Sequence, residues 1–351
     1  MLIIFLILLL SMLLSMRVSL IKNNKDYMSI ENTQAIKGIF IIIVFMSHIR
    51  SYVVLDNNID GLIIRGINYL GQLMVAMFLF YSGYGIYEAI KKKGKSYVNS
   101  LPKNRIWKTY TQFVWAIMCF LVVNLILGIE YPIRDILFAF TGWTSIGNSN
   151  WYMFAIFILY FITYISFKLC YKNFYLSFLL VVILSYAYII VIQRYQGGWW
   201  CDTILCYAFG ILYSYYKDRI DKFFNNTGCI GYYSFLALIV LVYFVGERYR
   251  FLSLDSHNIY AILFCMIIIV FSMKISFKSK ILIWCGRNLF WLYILQRIPM
   301  IVFKHFGVAK YGGYIFISLC AIVTVLLSIG LPRLIERIQK MFHKIVENKN
   351  K

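Results

Sequence analysis

The sequence predicts an all-α protein, a polytopic integral membrane helix bundle of about ten or eleven transmembrane helices. The N-terminus is expected outside and the C-terminus in the cytoplasm. Three observations carry this expectation. First, 62% of the 351 residues are hydrophobic and 14% are charged, against roughly 45–50% and about 25% in a soluble domain. That excess cannot fit one soluble core. Second, the apolar residues form long continuous runs without period-two alternation, which selects helices over barrel strands. Third, the net charge of +21 is spread unevenly over the connections between runs, as the positive-inside rule requires. A soluble enzyme, a disordered chain and a nucleic-acid-binding module are poor fits, and no nucleic-acid partner is expected. With four prolines and no Ser/Gly-rich tract, there is no flexible linker between domains.

A membrane helix needs about 20 mostly apolar residues. Eleven runs qualify, at about 2–20, 36–55, 67–89, 109–128, 151–167, 174–192, 199–216, 229–245, 258–273, 281–303 and 314–332. Residues 2–20 lack a basic segment before the run and a small-x-small cleavage site after it. They read as a first span within an extra N-terminal unit, 1–25, and not as a cleaved signal. Residues 32–332 form the main bundle. Residues 333–351 form a basic tail, read as lying on the anionic inner leaflet.

The connections set the orientation. Of the 35 Lys and Arg, 25 fall at the end of the first run or in connections after odd-numbered runs, nine fall on the other side, and Arg287 lies inside the tenth run. The rich side is cytoplasmic. The eight cysteines lie mostly inside runs with no C-x-x-C pair, so they read as small apolar residues. No metal site and no bound cofactor are expected.

Ionisable residues inside a membrane are costly and therefore informative. Every carboxylate falls in a connection or near the end of a run, which argues against an ion-coupled transporter. The intramembrane polar residues are His48, Asn124, Arg287, Asn288 and Gln296, with Arg50 and Arg297 nearer the outer side. Lys37 lies eleven positions before His48. Eleven residues are close to three helical turns, so both side chains share one helix face about 16 Å apart along the axis. A neutral imidazole in a water-poor cavity serves as a general base or acyl acceptor. It is equally a histidine satisfied by a backbone carbonyl.

These residues carry a resemblance. Lys37, ten positions and His48, with Gly38 directly after the base, resemble the opening signature of acyltransferase family 3, the polytopic membrane acyltransferases. Four further segments follow in the family's order. The run MVAMFLFYSGYGIYEAI is similar to the family's apolar run ending in Ser82-Gly83-Tyr84. PKNRIWKTY resembles its basic segment, through Arg105 and Lys108, although the proline common shortly afterwards is missing. NSNWYMFAIFILYFI resembles the segment that opens a middle helix, at Trp151 and Tyr152. The late segment WCGRNLFWLYILQRIPM is similar in its glycine, polar residue and tyrosine, Tyr293, with Gln296 where the family commonly has histidine. The resemblance covers roughly residues 32–332.

The resemblance implies an O-acyltransferase, most often an acetyltransferase, of the bacterial plasma membrane. It would move an acyl group from cytoplasmic acyl-CoA, its donor substrate, to a hydroxyl of a cell-envelope glycan or lipid-linked glycan. His48 is the catalytic candidate, as base or as covalent acyl carrier. Lys37, Arg105, Lys108 and Arg287 are the candidates for the polyanionic donor, with Arg287 also suited to an oxyanion. Asn150, Trp151, Tyr293, Gln296 and Arg297 are the candidates for the acceptor. Blander readings stand beside these. The lysine loop fixes topology, Lys37 and Arg297 snorkel, and Trp151 is an interfacial anchor. The rival function is a polysaccharide exporter or lipid-linked sugar flippase, which has no reason to keep the Lys37–His48 spacing.

Overall fold

A computed structural model describes residues 1–54 and 58–349. Asp56, read as external, and Lys351, read as internal, lie outside the described residues, as does the end of the second run at Leu55. The chain is a polytopic helical bundle. Its helices are α1 (Leu2–Ser15), α2 (Ile30–Ile49), α3 (Asn58–Leu70), α4 (Leu73–Lys93), α5 (Lys95–Leu101), α6 (Lys108–Leu127), α7 (Ile133–Ala139) and α8 (Trp151–Leu169). They continue as α9 (Phe174–Ile192), α10 (Leu205–Glu247), α11 (Leu254–Ser272), α12 (Lys280–Arg287), α13 (Leu289–Leu295), α14 (Arg297–His305) and α15 (Gly313–Lys349). A π-helical turn, Pro102–Trp107, joins α5 to α6. Among the described residues, eight helical segments are long and apolar enough to cross a membrane.

Among the described residues each of the eleven apolar runs contains helix, but they divide differently. The runs at 199–216 and 229–245 belong to one element, α10, which folds at Gly228 with φ +62°. Phe224 and Phe235 have ring centroids 5.4 Å apart, whereas eleven residues of straight helix would separate them by about 16 Å. Only glycine adopts that φ cheaply, so two helices meet without a loop. The tenth run is split into α12, α13 and α14, with breaks at Asn288 and Gln296. The second run starts earlier than its apolar window. Ser29 accepts a hydrogen bond from the Asn32 amide at 3.3 Å and caps α2, so polar residues fill its first turn. The first run is a 14-residue helix followed by strand β1 (Met16–Val18), which pairs antiparallel with β2 (Ile275–Phe277).

The ends of α1 agree with the charge-based orientation. Its Leu2 amide donates to buried Asp60 at 3.0 Å, a residue read as external. Its other end pairs with the segment after α11, read as cytoplasmic.

Small residues bring backbones together, as membrane helix pairs require. Gly83 of α4 lies against the Tyr207 carbonyl of α10, and Gly210 lies against Phe80. Gly38 of α2 lies against the Leu282 carbonyl of α12, and Gly286 lies against the Gln34 carbonyl. This second, reciprocal clamp holds the turns of α2 that flank Lys37.

The outer connection 141–150 folds inward. Ile146, Asn148 and Ser149 are buried. The Asn124 amide donates to the Ile146 carbonyl at 2.9 Å, and the Asn148 side chain accepts from the Ile146 amide at 3.0 Å. Asn124, singled out as an intramembrane polar residue, thus anchors this loop.

Candidate active site

One face of α2 carries the two sequence candidates toward opposite ends of the bundle, as the helical spacing requires. His48 is half-buried. Its Nδ1 is buried and has no hydrogen-bond partner among the described residues. The blander expectation, an imidazole satisfied by a backbone carbonyl, is not met at that atom. The Tyr293 ring lies 6.2 Å from the imidazole, centroid to centroid. The charged groups acting on His48 are the guanidinium groups of Arg297 and Arg50.

Tyr293 and Arg297 stand four residues apart, one turn along the interrupted α13–α14 segment, and therefore face the same way. Tyr293 is buried, with the Ser149 hydroxyl of the infolded loop beside its phenol. The Nε of Arg297 is buried without a partner. A half-buried cation with an open donor next to a half-buried base is an anion-stabilising arrangement.

The polar groups continue inward from Tyr293. Its ring meets Tyr152 edge to face at 5.4 Å. Ser82 of α4 places its hydroxyl beside the phenols of both Tyr152 and Tyr160. Tyr160, Tyr97 and Tyr207 surround the Arg105 guanidinium, whose Nε donates to the Tyr97 hydroxyl at 3.0 Å. Thr163 and Tyr207 share a hydrogen bond of 2.7 Å. Arg105 in turn lies within electrostatic reach of Lys37. The result is a line of polar side chains, Lys37 and Arg105, then Tyr160, Ser82, Tyr152 and Tyr293, then His48 and Arg297. It links the inner end of α2 to the outer end through an otherwise apolar bundle.

Two cations lie within electrostatic reach of each other at the inner end. Among the described residues, neither Lys37 nor Arg105 has an ion-pair partner. Lys37 is half-buried and Arg105 exposed; like charges repel, so the pair favours an anion. Arg287 is nearby and exposed, and its Nε donates to the Gln34 side chain at 3.0 Å, one turn before Lys37. Lys108 is exposed at the start of α6. The inner candidates Lys37, Arg105 and Arg287 therefore gather around the first turns of α2, with Lys108 at the margin.

The outer candidates are less uniform. Tyr293 and Arg297 face His48. Asn150 donates to the Trp143 carbonyl at 3.2 Å, which closes the infolded loop onto α8. The Trp151 ring lies edge-on to Tyr152 at 6.1 Å. Gln296 is buried and donates to the Tyr293 carbonyl at 2.9 Å, and its Oε1 has no partner. Its side chain lines a separate apolar groove shared with Ile4, Ile41, Phe45 and Thr324.

Sequence reading missed Ser82, Tyr152 and Tyr160 as site residues. A signal was present. Tyr152, Tyr160 and Thr163 recur at i, i+8 and i+11 on α8, and Ser82 interrupts the apolar run of α4.

Fold and site together define a polytopic membrane protein with a half-buried base near one group of cations and a second group at the other end of α2. The family model described as an acyltransferase domain matches residues 30–332. The chain belongs to acyltransferase family 3 and is a membrane acyltransferase. No curated protein and no solved structure gives a significant match.

Proposed function

We propose that the protein O-acetylates a cell-envelope glycan, such as a capsular or exported polysaccharide, using acetyl-CoA from the cytoplasm of a bacterial cell. The observation that supports this reading best is the polar line from Lys37 and Arg105 to His48 and Arg297. It joins an anion-attracting inner end to a half-buried base about 16 Å away along α2.

In this reading Lys37, Arg105 and Arg287, with Lys108 at the margin, bind the phosphates of coenzyme A. The pantetheine arm then extends along the tyrosines and presents its thioester near His48. The acceptor hydroxyl lies at the outer end, among Tyr293, Arg297 and the 143–151 segment. His48 takes the hydroxyl proton as the oxygen attacks the thioester carbonyl. Arg297 stabilises the developing oxyanion. The carbon–sulfur bond breaks, the ester forms, and the proton passes from His48 to the departing thiolate.

The test is the O-acetyl content of surface polysaccharide by proton NMR, in cells carrying the intact chain or His48→Ala at equal membrane abundance. Loss of acetyl signals with unchanged polymer supports the transferase. Persistent acetylation with loss of surface polymer would favour an exporter or flippase. A labelled acyl group retained on the protein without acceptor would assign His48 the carrier role instead of the base role.

A further inference from the structure

The fold of α10 at Gly228 opens a cleft away from His48. Between the two halves of α10 and the inner end of α11 lies an apolar cavity of about 430 Å³, walled by Phe209, Phe235 and Val270 among others. Arg219 and Tyr216 also line it, with the guanidinium 5.5 Å from the Tyr216 ring centroid. A polar pocket of about 210 Å³ adjoins it across the shared residues Phe224 and Met273. Asn23 and Lys25 line that pocket. Both Arg219 and Lys25 belong to connections read as cytoplasmic.

The chemistry of this cleft is incomplete in a specific way. Arg219 and Lys25 are exposed and have no ion pair among the described residues. Asp221 also lines the polar pocket, but its carboxylate is already engaged, by Lys217 at 2.5 Å and by the Tyr27 hydroxyl at 2.7 Å. The Asn23 Oδ1 is buried and accepts no hydrogen bond. The apolar slot therefore has one free cation, Arg219, in its wall, and the adjoining polar pocket has a second, Lys25, and the free Asn23 acceptor.

We infer that the cleft binds one anionic glycerophospholipid of the cytoplasmic leaflet. One acyl chain fills the apolar slot, the phosphate lies between Arg219 and Lys25, and a headgroup hydroxyl donates to Asn23. Basic pockets between membrane helices on the cytoplasmic side select anionic headgroups. A glycerol headgroup supplies both the net negative charge and the donor. A choline headgroup supplies neither. This site is independent of the acyl-transfer reading and is tested without it.

The purified full-length chain is titrated in detergent with phosphatidylglycerol and, separately, with phosphatidylcholine of the same chains. Native mass spectrometry counts the retained lipid. One phosphatidylglycerol is expected to be held in preference to phosphatidylcholine. The double variant Arg219→Gln, Lys25→Gln is expected to weaken retention by about thirtyfold, since each basic residue near the surface contributes comparably. Val270→Trp, which fills the slot without changing charge, is expected to reduce it as well. Arg65→Gln is the control, because Arg65 lines a different apolar groove, between α1 and α3, and its loss should leave retention unchanged. Equal retention of the two lipids overturns the inference. So does wild-type retention by the correctly folded double variant, or an equal loss with Arg65→Gln.

Discussion

His48, Lys37 and Arg297 do different work in the proposed reaction, and their substitutions separate accordingly. Removing the base costs about 10²–10⁴ in rate, so His48→Ala is expected to abolish measurable turnover in a thiol-release assay. Arg297→Ala removes charge stabilisation made only in the transition state. It should lower kcat by about 10²–10³ with little change in the KM for acyl-CoA. Lys37→Ala and Arg105→Ala remove ground-state contacts to the donor and should raise that KM by about tenfold with kcat nearly kept. If instead both pairs of substitutions change kcat alike, the division into donor end and chemical end is wrong. At this scale the sequence was readable where a charge interrupts an apolar run. Lys37, His48 and Arg297 stand out because ionisable groups are costly in a membrane. Tyr152, Tyr160 and Ser82 do not stand out, because tyrosine and serine occur throughout buried apolar helices such as α9, where Ser177, Ser185 and Tyr188 are also buried.

The two helix pairs α2–α12 and α4–α10 are held by glycine, and this makes one substitution take opposite signs at different places. At Gly38 a Cβ would meet the α12 backbone. Overpacking of this kind costs about 1–3 kcal/mol, so Gly38→Ala should lower the detergent melting temperature and donor binding together. At Gly85 a Cβ meets nothing within 4 Å. There the gain in helix propensity, about 1 kcal/mol, should raise the melting temperature. The same sign at both positions would refute the clamp. Gly38 drew notice beside Lys37, but its role depends on Gly286, nearly 250 residues away, and no local pattern reveals that partnership. The breaks in α12–α14 were equally hidden. An apolar window measures composition, and residues 281–303 are apolar across both breaks. Caps explain the shifted start of α2 in the same way. Ser29 begins the helix by hydrogen bonding, which hydropathy does not register.

Across the whole molecule the charge asymmetry does what single residues cannot. It orients the bundle, and the placement of Leu2 at Asp60 and of β1 on β2 agrees with that orientation. The eight thiols are free, and five of them are buried, which makes labelling practical. With Cys119, Cys170 and Cys229 replaced by serine, Arg134→Cys should react with a membrane-impermeant maleimide in intact cells. Lys172→Cys should react only after permeabilisation. The reverse pattern would invert the topology and place the donor cations outside. Fold class and order of spans were legible because the bilayer imposes length and polarity on every crossing. The line of polar groups was not, because it draws on α2, α4, α8 and α13 at once and exists only after packing.

The cations Lys37 and Arg105 also matter for anyone handling the purified protein. Their mutual repulsion is present whenever no anion lies between them, so the protein without an anion carries a destabilising repulsion at its inner end. A ligand that binds only the folded state stabilises it by mass action. Pyrophosphate, added at the same ionic strength as a chloride control, should therefore extend the working life of a preparation in detergent. Lys37→Gln should age more slowly in chloride than the parent and gain little from pyrophosphate. Storage buffer becomes, in effect, a report on whether the inner end is filled.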